Sequence, residues 1–156
     1  MKNQELFDRT ISILVKAYFN DTLEYSDCAA CAVGNILADC NGTTVVKDEF
    51  GSFIWSDNDR WIPWGNVIRV GEGLLYSGYP THIANKMKKS GYSLNELTAI
   101  EYAFYNGVRY VPIETPKQEE NFIGLMSVLD ALMKIHEANE TEIQQAKSLF
   151  TKELAV

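Results

Sequence analysis

The sequence predicts a mainly α-helical, single-domain bundle of about five to six helices over residues 1–156. Apolar side chains recur at intervals of three and four residues in several segments, a spacing typical of amphipathic helices. Helix-capping signals precede several of those segments. A chain of 156 residues with 46% hydrophobic content can enclose one core, and no stretch of it has the composition of a linker.

The first half of the chain combines one clear helix with an irregular insertion. Residues 3–19 predict an amphipathic helix that a short polar linker ends. The β-branched residues 43–47 predict a short strand. Residues 48–79 lack helical periodicity and are rich in aromatic side chains and glycine. We predict an irregular, aromatic-rich insertion there, with a short β-hairpin between residues 52–55 and 61–70 as one interpretation.

A helix with two of the three cysteines is predicted over residues 27–39. Ser26 is placed to act as its N-cap, because a serine hydroxyl can accept a hydrogen bond from a free N–H of the first turn. At 100° per residue, Cys28, Cys31 and Asn35 share one face of this helix. The small side chains around the cysteines favour close packing against another element.

The strongest helix signals lie in the second half of the chain. Residues 81–89 predict a short helix. Ser93 and Glu96 have the spacing of a capping box, in which each side chain bonds the backbone N–H of the other. A helix over residues 94–106 should follow, with Gly107 as its C-terminal stop.

Three further elements complete the predicted bundle. Residues 108–113 are β-prone and interrupted by proline, which predicts at best an edge strand. Thr115, together with a glutamine three residues later, predicts a second capping box and a helix over residues 116–138. Asn139 opens a last helix over residues 140–153. The predicted core contains Leu14, Ile36, Leu97, Phe104, Met126, Leu129 and Phe150.

The charge balance excludes two classes of partner. The chain has 14 basic and 21 acidic residues, a net charge of −7. Nucleic acids and anionic lipid surfaces are bound largely through clustered positive charge, and here the basic residues are scattered.

The sequence contains no run of 18 or more apolar residues, the length that would predict a membrane span. Three cysteines, an odd number, fit a reducing compartment better than a disulfide framework, so we predict a cytoplasmic protein.

Residues 50–79 of the aromatic-rich insertion are the predicted binding surface. Large rings mixed with glycines and short polar residues suit adaptable recognition. We expect at least one of its three tryptophans to expose a ring that anchors a partner or lines a ligand pocket. The alternative is that all of these rings simply pack as core. The predicted ligand- or partner-binding residues are Trp55, Trp61, Trp64, Tyr76, Tyr79 and Asn35.

The pair Cys28 and Cys31 has the C-x-x-C spacing of half a zinc site or of a redox pair. Tetrahedral zinc needs four ligands, and the remaining candidates, Cys40, His82 and His136, follow no recognised spacing. A thioredoxin-like motif would need a preceding strand. We therefore predict that both cysteines are packing residues and that the protein holds no metal and no cofactor. Metal binding or redox chemistry is the alternative.

Three motifs carry a resemblance to a group of small bacterial and phage proteins. They are residues 28–36 (CAACAVGNI), 91–97 (GYSLNEL) with Ile100, Glu101 and Phe104, and 124–129 (GLMSVL). Their order and spacing are similar over most of the chain, which implies a shared helical fold. Some members are labelled as the F subunit of the sodium-translocating NADH:quinone reductase. That subunit holds a 2Fe-2S cluster through four cysteines and has flavin and NADH domains, whereas this chain has three cysteines and no dinucleotide fingerprint.

These observations predict a non-enzymatic binding module whose partner is a protein or a small-molecule ligand. The resemblance to phage proteins implies, by analogy alone, a host protein as partner and an anti-defence-like role. A metal-binding or redox protein is the alternative. An enzyme with a pocket between the aromatic-rich insertion and the cysteine helix is the least favoured reading, because no nucleophile and base pair is evident.

Overall fold

The computed structural model describes residues 1–27, 29–57 and 85–151, together with the backbone of residues 81–84. The described residues are mainly helical, as the sequence predicts, with six helices and one small antiparallel sheet of two strands. In chain order the elements are α1 (Gln4–Phe19), α2 (Ala32–Cys40), β1 (Val45–Lys47), β2 (Phe53–Trp55), α3 (Thr81–Lys88), α4 (Leu94–Val108), α5 (Lys117–His136) and α6 (Glu140–Leu149). None of the described helices is long and apolar enough to cross a bilayer.

Helices α4 and α5 form the most extensive contact in the described molecule. Their backbones approach closely where Gly107 meets Gly124. A Cβ added to Gly107 would lie 2.9 Å from Cα of Gly124, and one added to Gly124 would lie 2.6 Å from ring carbons of Phe104. Helix α4 runs one residue beyond Gly107, to Val108, so the prediction that Gly107 stops the helix after residue 106 is wrong. The lack of a side chain at Gly107 serves the helix crossing.

The core lies between this helix pair and the other elements. Helix α1 packs on α2 and α5, α2 also packs on α4, and α6 covers α5. Six of the seven predicted core residues are buried, and Met126 is half-buried against the core. Trp55 from β2 joins the same core.

A chain of buried hydrogen bonds links α1, the segment before α4, the end of α5 and the N-terminal segment. The hydroxyl of Tyr92 lies 2.8 Å from Oγ1 of Thr10 and 2.8 Å from Nε2 of His136. Nδ1 of His136 lies 2.8 Å from the carbonyl oxygen of Lys2, so that nitrogen must carry the donated hydrogen. Tyr92, Thr10 and His136 are all buried, and the network is a structural link between distant segments.

The cysteine helix begins five residues later than predicted, at Ala32. Its N-cap is Cys31, whose Sγ accepts a hydrogen bond from the N–H of Gly34 at 3.3 Å. Asp27 instead closes a tight turn, with Oδ1 accepting from the N–H of Ala29 at 2.9 Å. An aspartate side chain that bonds the backbone two residues on competes with helix formation. Ser26 does not cap α2, because its hydroxyl donates to Glu24.

The segment between α4 and α5 is not the predicted edge strand. It forms two successive turns, in which the N–H of Val111 donates to the carbonyl of Val108 and the N–H of Thr115 to that of Pro112. The predicted capping box at Thr115 is also absent, since Pro116 occupies the N-cap position without a side-chain hydrogen bond. Gln118 contacts the backbone carbonyl of Tyr18 instead.

The other predicted boundaries hold more closely. The predicted capping box of Ser93 with Glu96 is confirmed at the start of α4. The predicted helix start at Asn139 is also confirmed, and there Asn139 and Glu142 form a capping box. Helix α5 ends at His136 and α6 at Leu149, each earlier than predicted. Strand β2 pairs with β1, and Val46 lies opposite Ile54. Residues 61–70, its predicted partner, lie outside the described residues.

Candidate functional site

Trp55 lies in the core and is no surface anchor. Its ring is fully buried, its indole N–H donates to the carbonyl of Ala29 at 3.1 Å, and Nζ of Lys86 lies 5.3 Å from the ring centre. The predicted role of an exposed binding ring therefore does not fit Trp55. The exposed-ring prediction stays a prediction for the remaining aromatic residues of the site, which lie outside the described residues: Trp61, Trp64, Tyr76 and Tyr79.

Asn35 lies at the edge of a cavity of about 300 Å³ between α1, α2 and β1. Its amide nitrogen donates to the carbonyls of Thr22 at 2.8 Å, Ala30 at 3.0 Å and Cys31 at 3.1 Å. Its Oδ1 accepts from the hydroxyl of Thr22 at 3.3 Å. The side chain therefore fastens the start of α2 to the loop after α1, and both ends of its amide are engaged within the fold.

The cysteines that the structure describes do not come together. Cys31 is buried at the N-terminus of α2, and Cys40 is half-buried at the other end of the same helix. Burial raises the pKa of the Cys40 thiol, with Asp39 adding to the effect and Arg9 opposing it. Cys28 lies outside the described residues. Among those residues, no group of three His, Cys, Asp or Glu side chains is placed to hold a metal ion.

A groove of about 540 Å³ runs between α1 and α6. Apolar side chains such as Ile11, Val15 and Leu149 line it, and Asp8, Glu142 and Lys16 lie at its polar parts. Because the groove carries charges of both signs, its lining does not indicate one partner chemistry.

A different surface stands out around the loop between α4 and α5. It comprises the neighbouring side chains of Tyr25, Tyr105, Arg109 and Tyr110, together with Ile113 from the same loop, and we call it the tyrosine–arginine face. Tyr105 is 43% exposed, Tyr110 78% and Ile113 100%. Large apolar and aromatic side chains that remain in water on a folded surface mark interaction sites when they cluster.

The guanidinium of Arg109 occupies the middle of the tyrosine–arginine face. Its Cζ lies 4.5 Å from the ring centre of Tyr110 and 5.6 Å from that of Tyr105, both within cation–π range. One terminal nitrogen donates to Oδ1 of Asn106 at 3.2 Å, and the other donates to the hydroxyl of Tyr110. The ring of Tyr105 in turn lies 6.3 Å from that of Tyr25. These contacts favour one arrangement of the guanidinium on the surface.

The second cation beside this face is already neutralised. Nζ of Lys117 lies 5.6 Å from the ring centre of Tyr25, but it forms ion pairs with Glu24 at 2.6 Å and Glu120 at 3.8 Å. Arg109 has no carboxylate within ion-pair distance in the described part of the chain. The tyrosine–arginine face therefore exposes apolar side chains, aromatic rings and one uncompensated positive charge.

Sequence reasoning missed this face because its members come from separate segments. Tyr105 and Arg109 are four residues apart and share a helix side, which is a detectable signal for stacking. The prediction of a strand over residues 108–113, however, assigned Tyr110 and Ile113 to a sheet edge. Tyr25 reaches the face only through tertiary packing.

No protein-family model matches this chain, and neither the curated proteins nor the solved structures contain a significant match.

Proposed function

We propose that this protein is a non-enzymatic binding module that docks onto a partner protein through the tyrosine–arginine face. The observation that carries the proposal is the full exposure of Ile113, together with the 78% exposure of Tyr110, in the loop between α4 and α5. Removing an isoleucine side chain from water contributes roughly 1.5–3 kcal/mol, which folding leaves unused here. Tyrosine and arginine are also the residues in which binding energy at protein interfaces concentrates.

The loop between α4 and α5 is held in place by its flanking helices and by its own hydrogen-bonded turns. Helices α4 and α5 flank it and are held together by the close contact of Gly107 and Gly124. The hydrogen-bonded turns at Val108–Val111 and Pro112–Thr115 fix its backbone. A loop that is ordered before binding loses less conformational entropy on association.

The proposed partner is a protein, and the proposed compartment is the reducing cytoplasm. The odd number of cysteines in the chain, three, supports that setting, because a disulfide framework uses cysteines in pairs. The resemblance to phage proteins supports a host protein as the partner, by analogy.

The proposal is tested by placing a photo-crosslinking amino acid at position 113 in cells that carry the natural gene. We expect one discrete adduct with a single protein, and we expect Tyr110→Ala to abolish it. A crosslinker at Lys134, an exposed position on α5, serves as the matched control. With the purified partner, Ile113→Ser should weaken binding about 30-fold or more while leaving the melting temperature unchanged, because the side chain is fully exposed.

Two results would refute this assignment. One is an adduct pattern that is the same at positions 113 and 134. The other is binding of the purified partner that Ile113→Ser and Tyr110→Ala leave intact.

A further inference from the structure

We infer that Arg109 binds a side-chain carboxylate of the partner protein, so that the partner's docking site pairs an apolar pocket with an aspartate or glutamate. This inference rests on the proposed function and adds the chemistry that selects the partner. It follows from three properties of the guanidinium: its unused donors, its missing counter-charge and its favoured arrangement.

The guanidinium has donors to spare. Arginine carries five N–H donors. Two of them are used within the fold, by Oδ1 of Asn106 and by the hydroxyl of Tyr110. The three that remain have no acceptor among the described residues, and a carboxylate can accept two hydrogen bonds from one guanidinium.

Among the described residues, Arg109 has no ion pair, a state that it shares with exposed lysines such as Lys134 but not with the other described arginine. The protein has a net charge of −7, so carboxylates outnumber cations on its surface. Arg9, the other arginine that the structure describes, pairs with Asp39 at 3.3 Å, and Lys117 pairs with two glutamates. Arg109 alone among these three cations has no carboxylate partner in the described chain, although it lies on an acidic protein.

The rings of Tyr105 and Tyr110 also preorganise the guanidinium. An arginine side chain loses rotamer entropy when a partner fixes it, and contacts that restrict it beforehand reduce that loss.

One carboxylate matches this site better than a phosphate group. A phosphate carries up to two negative charges and is usually held by several cations or backbone N–H groups. The tyrosine–arginine face offers one uncompensated cation, and the nearby Lys117 is neutralised. Glu114 in the same loop carries a negative charge, which repels a phosphate with up to two negative charges more than it repels a single carboxylate.

The test selects peptides from a phage-displayed library of random 12-residue sequences on the full-length protein. We expect wild-type protein to enrich peptides with an acidic residue beside aliphatic or aromatic residues. Arg109→Gln should still enrich the apolar pattern and lose the acidic preference. Arg9→Gln, which removes the other described arginine outside this face, is the matched control and should select as wild type does.

The best peptide is then synthesised in three forms, with its acidic residue, with the corresponding amide and with phosphoserine. For wild type, the amide form should bind about 10-fold more weakly than the acidic form. For Arg109→Gln the two forms should bind equally, and Arg109→Lys should recover only part of the difference, since a lysine lacks the planar fork.

The outcomes separate this inference from the proposed function. Peptides that bind wild type and Ile113→Ser equally, or no enrichment on wild type, would count against the docking face itself. Peptides that require Ile113 but show no acidic preference, or keep it on Arg109→Gln, would overturn the role of Arg109 alone. A phosphoserine form that binds at least 10-fold tighter than the acidic form through Arg109 would reassign the site to phosphate.

Discussion

Glu137 shows how a single residue departs from the rest of a well-formed helix. It terminates α5 in the left-handed region, at φ 53° and ψ 43°, and its side chain is exposed. Non-glycine residues adopt this conformation at a cost of roughly 1–2 kcal/mol, whereas glycine adopts it freely. We predict that Glu137→Gly raises the free energy of unfolding by about 0.5–1 kcal/mol, as measured by urea denaturation.

Lys134 offers the matched control, because it is exposed on the same helix with ordinary helical geometry. Lys134→Gly should lower the free energy of unfolding by about 1 kcal/mol. Equal destabilisation by both glycines would show that the left-handed conformation at position 137 is not maintained in solution.

At the scale of the element, local sequence signals predict the helices well. They predict poorly the helix boundaries that depend on contacts with other segments. The capping boxes of Ser93 and Asn139 lie within four residues of sequence, so their patterns were sufficient to place the starts of α4 and α6. The start of α2 depends on the turn that Asp27 closes, which competes with the predicted Ser26 cap. Glycine near the end of a helical pattern predicts a helix stop, which is why the sequence predicts that Gly107 ends α4. In the structure, its missing side chain instead allows α5 to pack closely.

The contact between α4 and α5 yields a prediction for the helix pair as a unit. In an isolated helix, Gly124→Ala would be stabilising by about 1 kcal/mol. Here the added methyl group would meet the ring of Phe104 at 2.6 Å, so we predict a net loss of about 1–3 kcal/mol in the free energy of unfolding.

A double-mutant cycle with Phe104→Leu checks this mechanism. Phe104→Leu leaves space where the alanine methyl group would go, so the double variant should lose less than the sum of the two single losses. Additive losses would mean that the ring of Phe104 is not what excludes a larger residue at position 124.

At the scale of the whole molecule, the candidate site depends on contacts that no local pattern contains. The sequence predicted that aromatic residues would form the binding surface, but the described part of the predicted site turned inward at Trp55. The exposed face instead joins Tyr25, from the loop before α2, to Tyr105 on α4 and Tyr110 in the next loop. These residues meet only because the helices pack in a particular arrangement. Composition and periodicity do not specify that arrangement.

The same long-range packing makes the folded state sensitive to alkaline pH. Burial raises the pKa of Tyr92 well above its ordinary value of 10.0, Glu96 and Cys40 add to the rise, and the hydrogen bond with Thr10 opposes it. Below pH 10 this tyrosine is neutral in both the folded and the unfolded chain. Above pH 10 the unfolded chain releases the phenolic proton while the folded chain retains it, so the free energy of unfolding must fall as pH rises.

We predict that Tyr92 lowers the stability of the wild-type protein from about pH 10 upward, by at most about 1.4 kcal/mol per pH unit. Tyr92→Phe should be less stable at pH 7 by about 1–3 kcal/mol, since it leaves Nε2 of His136 without its buried partner. Its pH profile should be flatter above pH 10 all the same. Tyr18→Phe is the comparison, because burial raises the pKa of that tyrosine too. Urea denaturation between pH 8 and 12 measures all three proteins, and a Tyr92→Phe profile as steep as that of wild type would show that Tyr92 is not the group retained in its neutral form by the fold.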